Sequence, residues 1–206
     1  MTKTPWNKNI AVGQKKGFTV EEVELIRRCL IARNKTMELA LLNVALDTLL
    51  RSSDLTKLKV SDVMDYKGEI KSHVNLKQQK TRHSHLVALS PNSKEWLYKW
   101  IKESNKHQDS WLFNPRIKGG KFKNTHIGRE TYAAVVKDWC KNYLNIDPKD
   151  YSTHSLRRTR AKIIYDRTHN IEVVRQLLGQ KSIASTIAYL GVYQEEALRI
   201  GEENFI

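Results

Sequence analysis

The stretch His154–Tyr189, HSLRRTRAKIIYDRTHNIEVVRQLLGQKSIASTIAY, decides how the rest of the 206-residue chain is read. It opens on His154 and Arg157 and closes on Tyr189, which is flanked by small and apolar residues. Ser152 or Thr153 can cap a helix that carries His154 and Arg157 in its first turn and on one face. There the helix dipole and unsatisfied amides already favour an anion. Asn170 caps a second helix bearing Ile171, Val174 and Leu177 or Leu178, with Gly179 as its C-terminal stop. Ser182 opens a short third helix that holds Tyr189. A histidine, an arginine and a lone tyrosine in this order point to phosphate chemistry. The first two helices have helix-turn-helix spacing, but the second is too apolar to read a DNA groove.

Upstream, Met37 to Leu50 is apolar nearly all round and predicts a central buried helix that ends abruptly at Arg51. A guanidinium there needs an anion, either a carboxylate such as Asp54 or a ligand phosphate. Thr19 and Glu22 form a capping box for an earlier helix carrying Val23, Ile26 and Leu30. Leu55, Leu58, Val60 and Val63 continue as a short helix. Alternating runs, Ile70–Leu76 and His85–Leu89, then read as an antiparallel hairpin with Lys80 near its tip. Alone, Lys80 reads first as a solvated loop lysine. Ser90 and Pro91 open a helix with Trp96, Leu97, Trp100 and Ile101 on its buried face. Tyr132, Val135, Val136, Trp139 and Tyr143 mark another, whose aromatic stripe belongs to the core. The fold class is mainly α with a small antiparallel β-sheet, an α+β arrangement.

Charge speaks to partners. Lys and Arg number 36 against 22 Asp and Glu, a formal net charge of +14, so nucleic acid is the first candidate and a solvated basic surface the alternative. The loop from Asn114 to Asn124 carries Arg116, Lys118, Lys121 and Lys123 around Gly119 and Gly120. It lacks the first glycine of a P-loop and suits either DNA backbone or solvent. Cys29 and Cys140 form neither a disulfide framework nor a metal spacing and read as reduced core thiols. No apolar run has the length of a membrane span, and the N-terminus lacks the apolar core of a signal peptide.

Taken together, LLRSSDLTKL around Arg51, LKQQKTRHSHLVAL around Lys80, THSLRRTRA around His154 and Arg157, and LLGQKSIASTIAYLGV around Tyr189 resemble the tyrosine recombinase (phage integrase) family. The order and context match across roughly the whole of Phe18 to Val192. The short chain is similar to the fimbrial phase-variation invertases, which start almost at the catalytic domain. Residues 1–17 read as a basic N-terminal arm suited to a polyanion or, equally, as a frayed terminus; the resemblance implies a catalytic domain (18–193) and a C-terminal tail (194–206) that docks either on a neighbouring protomer or on its own domain.

The resemblance also implies a chemistry: Tyr189 attacks a DNA phosphodiester, leaves a 3′-phosphotyrosine and frees a 5′-hydroxyl, as in type IB topoisomerases. Arg51 and Arg157 would clamp the non-bridging oxygens, His154 would exchange the tyrosine proton, and Lys80 would protonate the departing oxygen. Asp54 would orient Arg51 or its neighbours. The family places histidine or tryptophan directly after the glycine of the LLG motif; here Gln180 stands there, an amide that can donate a hydrogen bond but cannot titrate. Tyr193 is the rival nucleophile, with Tyr151 and Tyr165 fitting the spacing less well.

Expected DNA contacts are Lys77, Arg82, Arg116, Lys118, Lys121, Lys123, Arg158, Arg160 and Lys181. Expected partners are double-stranded DNA, further recombinase protomers assembling as a tetramer on paired sites, and an accessory DNA-bending protein, in a bacterial cytoplasm near the nucleoid. No cofactor and no metal are implied. Gln180 motivates an alternative from another class, a catalytically weakened or inactive DNA-binding regulator on the same fold. An RNA-binding module is disfavoured because no glycine-and-aromatic RNA signature appears.

Overall fold

The computed structural model describes residues 15–77, 84–115, 123–190 and 202, with the side chains of Lys77 and His85 outside that description. Helix α1 (Val20–Ala32) begins at the expected capping box: Glu22 N–H donates to Thr19 Oγ1 (3.1 Å), and Thr19 N–H donates to Glu22 Oε2 (2.8 Å). Helix α2 (Thr36–Thr48) buries Leu39, Ala40, Leu41, Leu42, Val44 and Ala45, leaving no apolar side for water. Such a helix must be surrounded, and α2 packs against α1, α5 (Pro91–Glu103) and α7 (Ser155–Thr168). Its Asp47 carboxylate accepts from Ser90 N–H (2.7 Å) and Ser93 Oγ (2.5 Å), fastening α2 to the N-terminus of α5 where negative charge is favoured.

The expected short helix from Leu55 to Val63 is two separate turns, α3 (Ser52–Leu55) and α4 (Val60–Val63). The chain between them is taken up by sheet-like pairing: Lys59 bridges Trp111, Leu112 N–H donates to Leu58 O (2.7 Å), and Val60 N–H donates to Ser110 O (3.0 Å). Strands β1 (His73–Lys77) and β2 (Ser84–Ala88) form the hairpin, with Val74 opposite Val87 and both buried while Leu86 faces out. Ile70, expected in the first strand, makes an isolated bridge with Met64 before it.

Helix α6 (Arg129–Asn142) buries Tyr132, Val136, Trp139 and Cys140, so its aromatic stripe is core. Trp139 Nε1 donates to Glu38 Oε2 of α2 (2.9 Å). Burial, and then the charge of Glu22, push the Cys140 thiol up to about 11, an unreactive state. Cys140 and Cys29 stand outside any disulfide. Asn114 closes the base of the basic loop: its Nδ2 donates to Lys123 O and Thr125 O, both at 2.9 Å.

A 3-10 turn (Pro148–Asp150) leads into α7, followed by α8 (Ile171–Leu178) and α9 (Ile183–Leu190). Asn170 Oδ1 caps α8 and Gly179 ends it in the left-handed region, φ 58°. These helices share a small second core of Leu49, Ala161, Val174 and Leu178, against which Tyr189 and Leu190 pack. Residues 15–17, assigned from sequence to the arm, lie against the domain: Lys16 N–H donates to Asp150 O (2.8 Å), and a Cβ on Gly17 would meet Thr159 N at 3.1 Å. No helix among the described residues is long and apolar enough to cross a membrane.

Leu41 is fully enclosed, so Leu41→Ala should lower unfolding free energy by about 2–5 kcal/mol in urea titrations, whereas Val20→Ala on the exposed face of α1 should change it by less than about 0.5 kcal/mol.

Candidate active site

Helix α2 stops because Leu49 turns left-handed (φ 51°, ψ 24°), a conformation that costs a branched residue about 1 kcal/mol or more. The turn aims the Leu49 carbonyl at Arg157, whose Nη1 donates to it at 2.6 Å. Arg157 Nη2 donates to Leu178 O, at the C-terminus of α8, at 2.5 Å. One guanidinium thus joins two helix ends whose carbonyls carry partial negative charge. Arg157 is only 3% exposed, and burial lowers its pKa to about 10 despite the nearby charge of Asp54 and a hydrogen bond with Tyr189, so it stays cationic at neutral pH. Arg51, half-buried at the N-cap of α3, and Asp54, 7% exposed, are the charges brought up beside it.

Tyr189 lies on α9 beside this cluster. Arg158 Cζ stands 4.7 Å from the ring centroid and Arg157 Cζ 5.9 Å, and the hydroxyl is 3.5 Å from His154 O, at the outer limit of a hydrogen bond. Desolvation raises the Tyr189 pKa above its ordinary value of 10; Arg157, Arg158 and Arg51 pull it back only in part. The phenol therefore holds its proton at neutral pH and needs a base to become a strong nucleophile.

His154, whose backbone carbonyl the hydroxyl approaches, is the neighbouring titratable group. It occupies the position before α7, not its first turn as expected, because residues 152–155 close a tight turn: Ser155 N–H donates to Ser152 O (2.9 Å) and His154 N–H to Ser152 Oγ (3.2 Å). Its ring reaches the surface, yet desolvation, then Arg157, Arg158 and Arg51, hold its pKa below the usual 6.5. The imidazole is accordingly neutral at pH 7 and able to accept a proton.

Gln180 follows the Gly179 turn, with its N–H on Arg175 O (3.0 Å) and its carbonyl accepting from Arg175 Nη1 (2.7 Å). The structure therefore gathers Arg51, Asp54, His154, Arg157 and Tyr189, with Gln180 on the turn leading into α9. Arg158, expected among the DNA contacts, lies over the Tyr189 ring. Arg160 is half-buried on α7, and Lys123 and Lys181 are exposed. Lys80, Arg82, Arg116, Lys118, Lys121 and the rival Tyr193 lie outside the described residues, as does the side chain of Lys77. Of the other tyrosines weighed, Tyr151 stacks on Phe18 (4.7 Å) and Tyr165 meets His169 edge-on (5.9 Å). Sequence reasoning missed the carbonyls of Leu49 and Leu178, since a backbone acceptor leaves no trace in residue type. Among the described residues no cluster of three or more His, Cys, Asp or Glu could hold a metal ion.

Comparison with known proteins agrees with this geometry: the phage integrase family matches residues 17–196, and the chain belongs to that family. Among curated relatives it is 23% identical over 180 residues to a probable integrase/recombinase, YoeC, of Bacillus subtilis (strain 168), covering 86% of this chain and 89% of the relative. It is 28% identical over 150 residues to a tyrosine recombinase of Pseudothermotoga lettingae, covering 71% of this chain and 46% of that one. The chain thus spans most of the Bacillus protein but about half the length of the other curated relatives it matches. Solved structures share the fold: XerA recombinase (TM-score 0.70, 18% identity, 93% of this chain and 64% of that one) and XerH bound to its palindromic difH substrate after cleavage (TM-score 0.70, 20% identity, 95% and 55%).

Two measurements check the electrostatics. In the free protein, an NMR titration of His154 should show a midpoint below 6.5, and Arg158→Ala should move it upward by removing one of the charges that disfavour the imidazolium. Arg157→Lys keeps the charge but can satisfy only one of the two carbonyls, so unfolding free energy should fall by about 2 kcal/mol in urea titrations.

Proposed function

We propose that the chain is a site-specific DNA recombinase that cuts and rejoins strands through a covalent tyrosine intermediate. What carries this reading is the setting of Tyr189, a protonated phenol packed against two guanidinium groups and beside a histidine held neutral. A DNA phosphodiester bound there would meet Arg51 and the donors of Arg157 not used on Leu49 and Leu178. The phenol oxygen then attacks phosphorus as His154 takes its proton. A Tyr189 phosphodiester forms at the 3′ end, and the bond to the 5′-oxygen breaks. Lys80 is proposed to protonate that leaving oxygen, giving the 5′-hydroxyl that attacks in the reverse sense on the partner strand. The phosphodiester bond energy is conserved in the protein–DNA link.

Donors preorganised around the phosphoryl oxygens stabilise charge that grows in the transition state, each worth about 3 kcal/mol in a water-poor site. Arg51 and Arg157 suit this because a planar guanidinium matches two oxygens and stays charged. The net charge of +14 supports a polyanionic substrate. The proposed partners are duplex DNA, further copies of the chain acting as a tetramer on paired sites, and an accessory DNA-bending protein. The cytoplasm, at the nucleoid, is the proposed place of action.

On nicked suicide duplexes taken from the DNA flanking its own gene, the wild-type chain should accumulate a covalent adduct, visible in denaturing gels. Tyr189→Phe should bind with unchanged affinity and form none. An adduct that persists in Tyr189→Phe removes this tyrosine as the nucleophile, and DNA binding without any wild-type adduct favours a non-catalytic regulator.

A further inference from the structure

Gln180 is held at more points than its place in a turn requires. Its backbone is fastened on both sides by Arg175, as described, and its side-chain Oε1 accepts from Thr186 Oγ1 at 2.6 Å. Arg175 is itself clamped by Glu172, which accepts from its Nε at 2.6 Å and its Nη2 at 2.5 Å. Thr186 is completely buried on α9, one turn before Tyr189 and on the same face. A helical threonine ordinarily returns its hydroxyl proton to the carbonyl of the preceding turn. That partner, Ser182 O, lies at 3.3 Å, so the shorter contact to Gln180 takes the proton.

The consequence is directional. An amide has an acceptor end and a donor end, and they are nearly equal in shape. Only an outside contact decides which end faces a ligand. With Oε1 occupied by Thr186, the Nε2 amino group is the end left to turn outward, and only that end can stabilise a phosphate oxygen; the reverse orientation would set a carbonyl dipole against an anion.

We infer that Thr186 is a positioning residue that orients the Gln180 amide, donor end outward, toward a bound phosphodiester oxygen. This rests on the recombinase reading for its ligand, whereas the orientation itself concerns the chain alone. Thr186 never touches the substrate. It acts through Gln180, and it couples that donor to the helix that carries the nucleophile.

The test uses the full chain and compares Thr186→Val, which keeps size and removes the hydroxyl, with Thr186→Ser, which restores it. In the DNA-free protein, the Gln180 side-chain amide protons should give a dispersed pair of NMR resonances in wild type and Thr186→Ser, and move toward random-coil shifts in Thr186→Val. On the suicide duplex, Thr186→Val should form adduct about tenfold more slowly, with unchanged affinity, and Thr186→Ser should restore the rate. In a Gln180→Ala background, Thr186→Val should have no further effect. Unchanged amide resonances in Thr186→Val, a wild-type rate in that variant, or an equal loss in the Gln180→Ala background would each overturn the inference. A wild-type chain that binds DNA and forms no adduct, yet shows the expected resonance changes, overturns the recombinase reading and leaves the orientation standing.

Discussion

The buried guanidinium of Arg157 is the constraint on which the site depends. Removing it from water is costly, and an arginine is buried only where its donors are met. Here two of them are met by carbonyls at helix C-termini, Leu49 O and Leu178 O, where unsatisfied acceptors and the helix dipole supply negative potential in addition to the charge of Asp54. Hydrogen bonds to a charged group contribute about 1.5–3 kcal/mol each, enough to offset the left-handed turn at Leu49 that presents one of those carbonyls. The result ties α2, the most enclosed helix, to the small α7–α8–α9 unit that carries Tyr189.

Because that tether ends in a cation, architecture and electrostatics are the same interaction. Arg51, Arg157 and Arg158 concentrate positive charge against Tyr189 and His154, and each group responds according to its own chemistry. Desolvation keeps the phenol protonated although the guanidiniums favour phenolate. The same guanidiniums act together with desolvation on His154 and keep it neutral. A phenol that retains its proton and an imidazole that lacks one are thus held within one cluster of guanidinium groups.

The main core holds this arrangement from behind. Leu49 packs in the small core and Leu50 in the large one, so consecutive residues connect the two. Asp47 accepts from Ser90 N–H and Ser93 Oγ at the start of α5, and Glu38 receives Trp139 Nε1, so polar side chains of α2 fasten α5 and α6 while its apolar surface fills the interior. An all-apolar helix gains burial but little orientation from its packing, and these directional bonds supply the orientation.

How much of this was legible beforehand depended on whether the cause was local. Capping at Thr19, Ser90 and Asn170, the stop at Gly179, the hairpin and the apolar run of α2 were all readable, because caps, turns and periodicity are properties of neighbouring residues. Arg51, Asp54, His154, Arg157, Gln180 and Tyr189 were legible as candidates by residue type and order. Their relations were not: the division of the segment after Arg51 into α3 and α4 follows from pairing with residues 110–112, and Arg157 is held by backbone carbonyls far along the chain. Arg158 was legible as a basic residue, but its place over the Tyr189 ring follows from where α9 packs. The sequence by itself determined the class of fold and the chemical types at the site; the tertiary structure alone decided which donor meets which acceptor, because carbonyls and ring faces take their direction from long-range packing and not from residue identity.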